Sequence, residues 1–264
     1  MTIDRGNIMI LEAHNVMKYY LGSNKPVLNN INFSVQETEF VAIMGASGSG
    51  KTTLLNSLST LDNISSGTIL LDNEDVSKIN ERRGAEIRKN KLGFIFQDYK
   101  LLASLTARQN IALSLSLIET KPQDIDVMID DLSEKFQLKE YLDHYPHELS
   151  GGQKQRIAII RAIIKKPKII IADEPTGALD SNATRIIMQQ LAKINQNLNT
   201  TILMVTHDPY TASYAQRVVF LKDGVIEKEI NRLENVSQKE FQKELANVMT
   251  SMEVIQSDLS DELS

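Results

Sequence analysis

Residues 40–52 read FVAIMGASGSGKT. An apolar run of five, Phe40–Met44, leads into Gly45-Ala46-Ser47-Gly48-Ser49-Gly50-Lys51-Thr52, and Leu54, Leu55, Leu58 and Leu61 follow at helical spacing. Few arrangements satisfy this order. A buried strand must end in a glycine-rich loop that opens a helix over Lys51–Leu61, the context in which G-x-x-x-x-G-K-T cradles phosphate. Glycines let several backbone N–H groups converge on one anion, and the helix N-terminus adds its positive end. Lys51 then reaches the β- and γ-phosphates, and the Thr52 hydroxyl suits Mg²⁺. Taken alone, the same letters describe a flexible turn with a solvated lysine.

Downstream, strands and helices alternate. Short apolar runs at Leu92–Phe96, Lys168–Ala172 and Thr201–Val205 are separated by helical patterns. Ile157, Ile160 and Ile164 mark one, and Ile186, Ile187, Leu191 and Ile194 another. That rhythm predicts a parallel sheet covered on both faces. Before the loop, Ile8–Val16 and Val27–Val35 read as strands, as does Thr68–Leu71 after it. Asn80–Asn90 reads as a charged helix, and Val218–Leu221 with Val225–Ile230 as a hairpin about Asp223-Gly224. Leu101–Glu148 reads as helical, with Ile125, Met128, Leu132 and Phe136 in register, and Glu119–Asp126 as a connection around Pro122.

Ile169–Glu174 is an apolar strand ending in two carboxylates. Asp173 falls at the carboxyl end, where parallel sheets bind ligands, and suits a metal-binding acid. Glu174, one residue on, can deprotonate an attacking water. A helix N-terminus also favours such a pair. Leu149-Ser150-Gly151-Gly152-Gln153 precedes a helix expected to begin near Lys154 and offers a second anion site, or an ordinary cap.

The chain has 264 residues, 42% hydrophobic and 24% charged, within the globular range. Its net charge of −5 argues against a nucleic-acid partner. With no Cys, disulfides and thiolate metal sites are excluded, and an intracellular location is the expectation. No apolar run is long enough to span a bilayer, and MTIDRGNIMILEAHN lacks the apolar stretch of a signal peptide. Residues 231–264 hold 3 basic and 7 acidic residues, with an apolar stripe of Phe241, Leu245, Val248, Met252 and Ile255. This predicts a packed helical tail with a frayed acidic end.

LSGGQ, with Ser150 placed 23 residues before Asp173, resembles the signature of the ATP-binding-cassette (ABC) ATPases. Other motifs of that family fall in order. Gln97 after Leu92–Phe96 matches the Q-loop, Ala178-Leu179-Asp180 the D-loop, and His207 after Thr201–Val205 the switch histidine. Tyr20 or its neighbour Tyr19 would stack on adenine. Read singly, Gln97 is a solvated loop residue and His207 a structural one.

The resemblance implies an α/β fold: a RecA-like P-loop NTPase core, an antiparallel β subdomain and a helical subdomain inserted near 101–160. The ATPase domain would cover 1–230 and the tail 231–264. It implies ATP and Mg²⁺ as cofactors. Gly45, Ala46, Ser47, Gly48, Ser49, Gly50, Lys51, Thr52 and Thr53 would hold the nucleotide. Gln97, Asp173 and Thr52 would meet the metal, and Glu174, Gln97 and His207 would serve catalysis. Two chains would pair head to tail, each offering Ser150, Gly151, Gly152, Gln153 and Asp180 to its partner's ATP.

With no permease fused, the membrane part would be a separate chain, and the ATPase would sit peripherally on the inner face of the membrane. FIFQDYKLL (Phe94–Leu102), THDPYTASYAQRVVFLKDG (Thr206–Gly224) and QKEFQKEL look most like Bce-type ATPases. Those serve resistance to bacitracin and lantibiotics, often with a sensor histidine kinase. Lipoprotein-releasing, macrolide-export and cell-division ATPases are the alternative. Two-cassette translation and repair types do not fit one cassette without heptads, and a small-molecule P-loop kinase leaves LSGGQ without a role. Tyr99 and Leu101 are expected to face the permease, with Leu102 and Leu105 divided between that face and the core. Thr38 departs from the family's usual Gly in the turn before Glu39, and Ala46 from its frequent Pro; neither is expected to alter function.

Overall fold

The computed structural model describes residues 8–261, with side chains described through Met252. Ten strands and eight α-helices follow in chain order among the described residues. The first group is β1 (Met9–Lys18), β2 (Leu28–Gln36), β3 (Phe40–Met44), α1 (Lys51–Leu58), β4 (Ser66–Leu71), β5 (Glu74–Asp75), α2 (Glu81–Lys91) and β6 (Leu92–Phe96). Then come three helices, α3 (Ala107–Leu117), α4 (Pro122–Lys135) and α5 (Gly151–Ile163). The chain closes with β7 (Ile169–Asp173), α6 (Ser181–Leu198), β8 (Thr201–Val205), α7 (Pro209–Ala212), β9 (Arg217–Lys222), β10 (Val225–Asn231) and α8 (Gln238–Asp261).

Two sheets form. One is antiparallel, ordered β2-β1-β4-β5, and the other is ordered β10-β9-β3-β8-β7-β6. In the second sheet every pairing is parallel except the edge hairpin β9–β10. Strands buried on both faces need apolar residues throughout, and Phe40–Met44, Ile169–Ala172 and Thr201–Val205 are fully buried. This is the mixed α/β architecture the phosphate loop required.

Several boundaries moved, each for a local reason. Helix α1 stops at Leu58, and Thr60 turns into the left-handed region (φ 60°), which leaves Leu61 exposed rather than on the buried stripe. Pro122 does not break a helix; it begins α4, where its missing N–H is not needed. Helix α5 starts at Gly151, three residues before the expected Lys154, because Ser150 is its cap. In α8, Phe241 and Leu245 are fully buried while Val248 and Met252 are partly buried. Ile255 and the expected frayed end lie outside the described side chains.

Thr38 sits at φ 66°, a conformation in which a β-branched residue is strained. It is held there by its N–H donating to Thr201 Oγ1 (2.9 Å) and by Asn195 Nδ2 donating to its carbonyl (2.8 Å). Thr38→Gly is expected to relieve about 1–2 kcal/mol of strain. The added freedom of the unfolded chain offsets about 0.4–1 kcal/mol of that. Thermal unfolding should therefore shift up by about 1–4 °C; a lower midpoint would show that the threonine is not strained.

Candidate functional site

Four neighbouring parallel strands deliver the site. In the order β3-β8-β7-β6 their carboxyl ends lead into the phosphate loop, His207, Glu174 and Gln97 respectively. Register aligns them: Phe96 pairs with Asp173, Asp173 with Val205, and Val205 with Ile43. Residues far apart in sequence therefore emerge side by side at strand spacings of about 4.8 Å.

The loop depends on glycine. A Cβ on Gly45 would lie 2.2 Å from the Leu221 carbonyl oxygen, and Gly50 caps α1 at φ 101° with Val27 O 2.9 Å from its Cβ position. Lys51 Nζ donates to the Gly45 and Ala46 carbonyls at 2.9 and 2.7 Å, so the ammonium lies inside the loop's curve. Burial lowers its pKa, opposed by Glu174 and Asp173. Ser49 Oγ is buried without a hydrogen-bond partner, and nothing lies within 4 Å of a Cβ placed on Gly48. An orphaned hydroxyl beside an open cradle of N–H donors fits a phosphate group. Ala46, Ser47, Gly48, Lys51, Thr52 and Thr53 share one cleft with Glu174, His207 and Met249.

Glu174 borders that cleft, and Asp173 precedes it at the end of β7. Burial raises the Asp173 pKa, and Glu174 and Asp98 push it further up, against Lys51. Among the described residues no group of three or more His, Asp or Glu side chains could cage a metal alone. One carboxylate and one hydroxyl, completed by substrate phosphates and water, is a donor set that suits Mg²⁺. An acid whose folded pKa exceeds its unfolded value destabilises the fold as pH rises through that interval, and fully above it. Asp173→Asn should therefore raise the melting temperature of the nucleotide-free protein at neutral pH, and the gain should shrink on acidification. A loss of stability at pH 7 would contradict this reading of the acid cluster.

Glu174 itself has φ 44°, and its N–H donates to Val205 O (3.0 Å). Its Oε1 lies 3.0 Å from His207 Nδ1. The carboxylate is thus held both by its backbone and by the histidine on the next strand end. Gln97 is exposed, and a Cβ on Gly177 would be 2.9 Å from Gln97 Nε2, so the glutamine lies against the turn after Glu174. Tyr20 hydroxyl donates to Asp62 Oδ2 (3.0 Å) and is 3.5 Å from Thr53 Oγ1, while Lys18 Nζ lies 4.8 Å from its ring centroid. Tyr19 instead bonds through its N–H to Ser65 Oγ (2.9 Å). Both rings are exposed; Tyr20 is the one tied to the helix that begins at the phosphate loop.

Ser150 caps α5. Its Oγ accepts from Gln153 N–H (3.3 Å), and Gln153 Oε1 accepts from Ser150 N–H (2.7 Å). The hydroxyl hydrogen remains available to an oxygen ligand. Asp180 caps α6 through Asn182 and Ala183 N–H. Ser150, Gly151, Gly152 and Asp180 line one pocket, separate within the chain from the cleft of Lys51. The structure therefore gathers the sequence-predicted residues into two groups, not one.

Two contributors were not legible beforehand. Gln155 is buried, and its Nε2 donates to Pro175 O (2.6 Å), tying α5 to the Glu174 turn. Arg161 donates to Tyr99 O (2.8 Å) and Lys100 O (2.5 Å), tying α5 to the loop after Gln97. Both fall on α5 after its glycines, but nothing in their spacing signals these carbonyl partners.

Fold and site define a P-loop ATPase cassette. A family model described as ABC transporter matches residues 28–177, and the chain belongs to that family. It is the ATP-binding subunit of an ABC transporter and an ATPase. The bacitracin export ATP-binding protein BceA of Halalkalibacterium halodurans is 43% identical over 251 residues, 94% of this chain and 99% of that one. The macrolide export ATP-binding/permease protein MacB of Campylobacter jejuni is 45% identical over 210 residues, 78% of this chain but 32% of MacB. Among solved structures, the dimeric post-hydrolysis state of the ATP-binding cassette MJ0796 with ADP and Pi superposes with TM-score 0.77 at 38% identity. That match covers 84% of this chain and 98% of the other.

Proposed function

We propose that this ATPase powers a separate membrane permease in resistance to antimicrobial peptides such as bacitracin or lantibiotics. The supporting observation is the match to BceA, which runs along nearly the full length of both chains. In this reading the chain docks on the inner face of the cell membrane through the permease, which also links it to a sensor histidine kinase. Among the described residues no helix is long and apolar enough to cross a membrane. Deleting the gene in its host should sensitise cells to bacitracin or lantibiotics. Unchanged susceptibility, with a macrolide-export or cell-division defect instead, would favour the second reading, which the MacB match supports.

The catalytic proposal assigns each group by position. Backbone N–H groups of Gly45–Thr53 and the Lys51 ammonium hold the phosphates, and Tyr20 stacks on the base. Thr52, Asp173 and Gln97 would hold Mg²⁺, which would supply neutralisation of the phosphate charge. Glu174 takes the proton of the attacking water, with His207 fixing its carboxylate. Ser150, Gly151, Gly152, Gln153 and Asp180 act on the ATP of a second chain. Two separated anion-binding groups in one chain, and a dimeric relative, support that head-to-tail pair.

The permease-facing residues need revision. Leu101 is partly buried against the core, and half-buried Tyr99 has its hydroxyl 3.0 Å from the Gly151 Cβ position, so neither offers a freely exposed docking side chain. Leu102 is 51% exposed and Leu117 61%, and α3 carries Leu113, also exposed, four residues before Leu117. Asn110, fully buried, accepts from Leu102 N–H and donates to the Leu102 and Leu105 carbonyls, which holds this apolar edge outward. Leu102→Ser with Leu117→Ser should leave the isolated chain folded and ATPase-competent while abolishing permease co-purification. Normal co-purification would place docking elsewhere.

A further inference from the structure

Helix α8 brings the tail of the chain to the phosphate loop. Phe241 and Leu245 anchor its first turns in the core. Further along, Lys222 Nζ donates to the Met252 carbonyl (3.2 Å). Along this stretch, Met249 and Met252 line a cavity whose other walls are Gly45–Ser49 and Phe220–Asp223. Met249 also borders the cleft that holds Lys51, Thr52, Glu174 and His207. A thioether offers no donor to a triphosphate. It is, however, flexible and packs reversibly on irregular surfaces. Beyond Met252 the helix runs on to Asp261, about 13 Å at 1.5 Å per residue. From Thr250 onward the sequence holds Glu253, Asp258, Asp261 and Glu262 and no Lys or Arg.

We infer that the C-terminal half of α8 is an autoinhibitory strap: seated through Met249 and Met252, it restricts the phosphate loop, and ATP binding requires its release. The inference rests on the phosphate loop being the ATP site. If the strap is closed in most molecules, apparent affinity falls by the fraction left open, so about 90% closure costs about tenfold.

The chain has no Cys, so an introduced pair reacts alone. Asp223→Cys with Met252→Cys, bridged by a cleavable bis-methanethiosulfonate, pins the strap in the full chain. The bridged protein should bind a fluorescent ATP analogue at least about tenfold more weakly than the same sample after reduction. Comparing one sample before and after reduction removes misfolding as an explanation. Met249→Ala with Met252→Ala should bind the analogue several-fold more tightly than wild type. Equal affinity of bridged and reduced samples, or weaker binding by the double alanine variant, would overturn the strap. Analogue binding unaffected by Lys51→Ala would overturn the phosphate loop as the ATP site, and the strap with it.

Discussion

Glu174→Gln is expected to bind Mg-ATP with near-normal affinity and to hydrolyse it about 100- to 10,000-fold more slowly, the range lost with a general base. The amide keeps the shape of the side chain and can still contact His207, which lies 3.0 Å from Glu174 Oε1. It cannot accept the proton of a water at neutral pH. The backbone at Glu174 is already in the left-handed region (φ 44°), and the N–H bond to Val205 O does not involve the side chain, so the fold should survive. Phosphate release under saturating ATP measures the effect. Near-normal turnover would remove Glu174 from its role.

Ser150→Arg should abolish hydrolysis, by at least about 100-fold, on the scale of losing a preorganised transition-state donor. ATP binding to the monomer should survive, because Ser150 and Lys51 border different pockets of one chain. The substitution also removes the cap bond from Gln153 N–H, which costs about 1 kcal/mol, so a modest fall in melting temperature is part of the expectation. Lys51→Ala acts differently. It removes a charge-assisted phosphate contact of about 1.5–3 kcal/mol, so binding itself weakens about 10- to 100-fold. Equal loss of binding in both variants at low protein concentration would contradict a site shared between chains.

How far the sequence carries can be judged from these residues. Strands β3, β6 and β8 match their predicted bounds because each is a short, mainly apolar run; β3 and β8 are buried on both faces, while β6, at the sheet's edge, leaves Phe94 and Phe96 half-buried. The strand order could not be read, yet it is what places Gln97, Glu174 and His207 side by side. Helix starts were misplaced where a cap or proline set them: Ser150 for α5, Pro122 for α4. Leu101 and Leu102 are adjacent leucines of equal apolarity. Leu101 is partly buried while Leu102 is exposed, a difference that goes with Asn110 holding the loop, a tertiary contact without local signal. The apolar stripe of α8 predicted packing but not its target, since Met249 reaches the phosphate loop only through the anchors at Phe241 and Leu245.

The central claim is that two chains close over ATP, each supplying Lys51 to one nucleotide and Ser150 to the other. Light scattering of Glu174→Gln with Mg-ATP tests this most directly, because the sandwich then forms without discharging. The account predicts twice the monomer mass with ATP, the monomer mass without it, and the monomer mass with ATP when Ser150→Arg is added. A monomer at saturating ATP, or a dimer that forms equally well with Ser150→Arg, would contradict it.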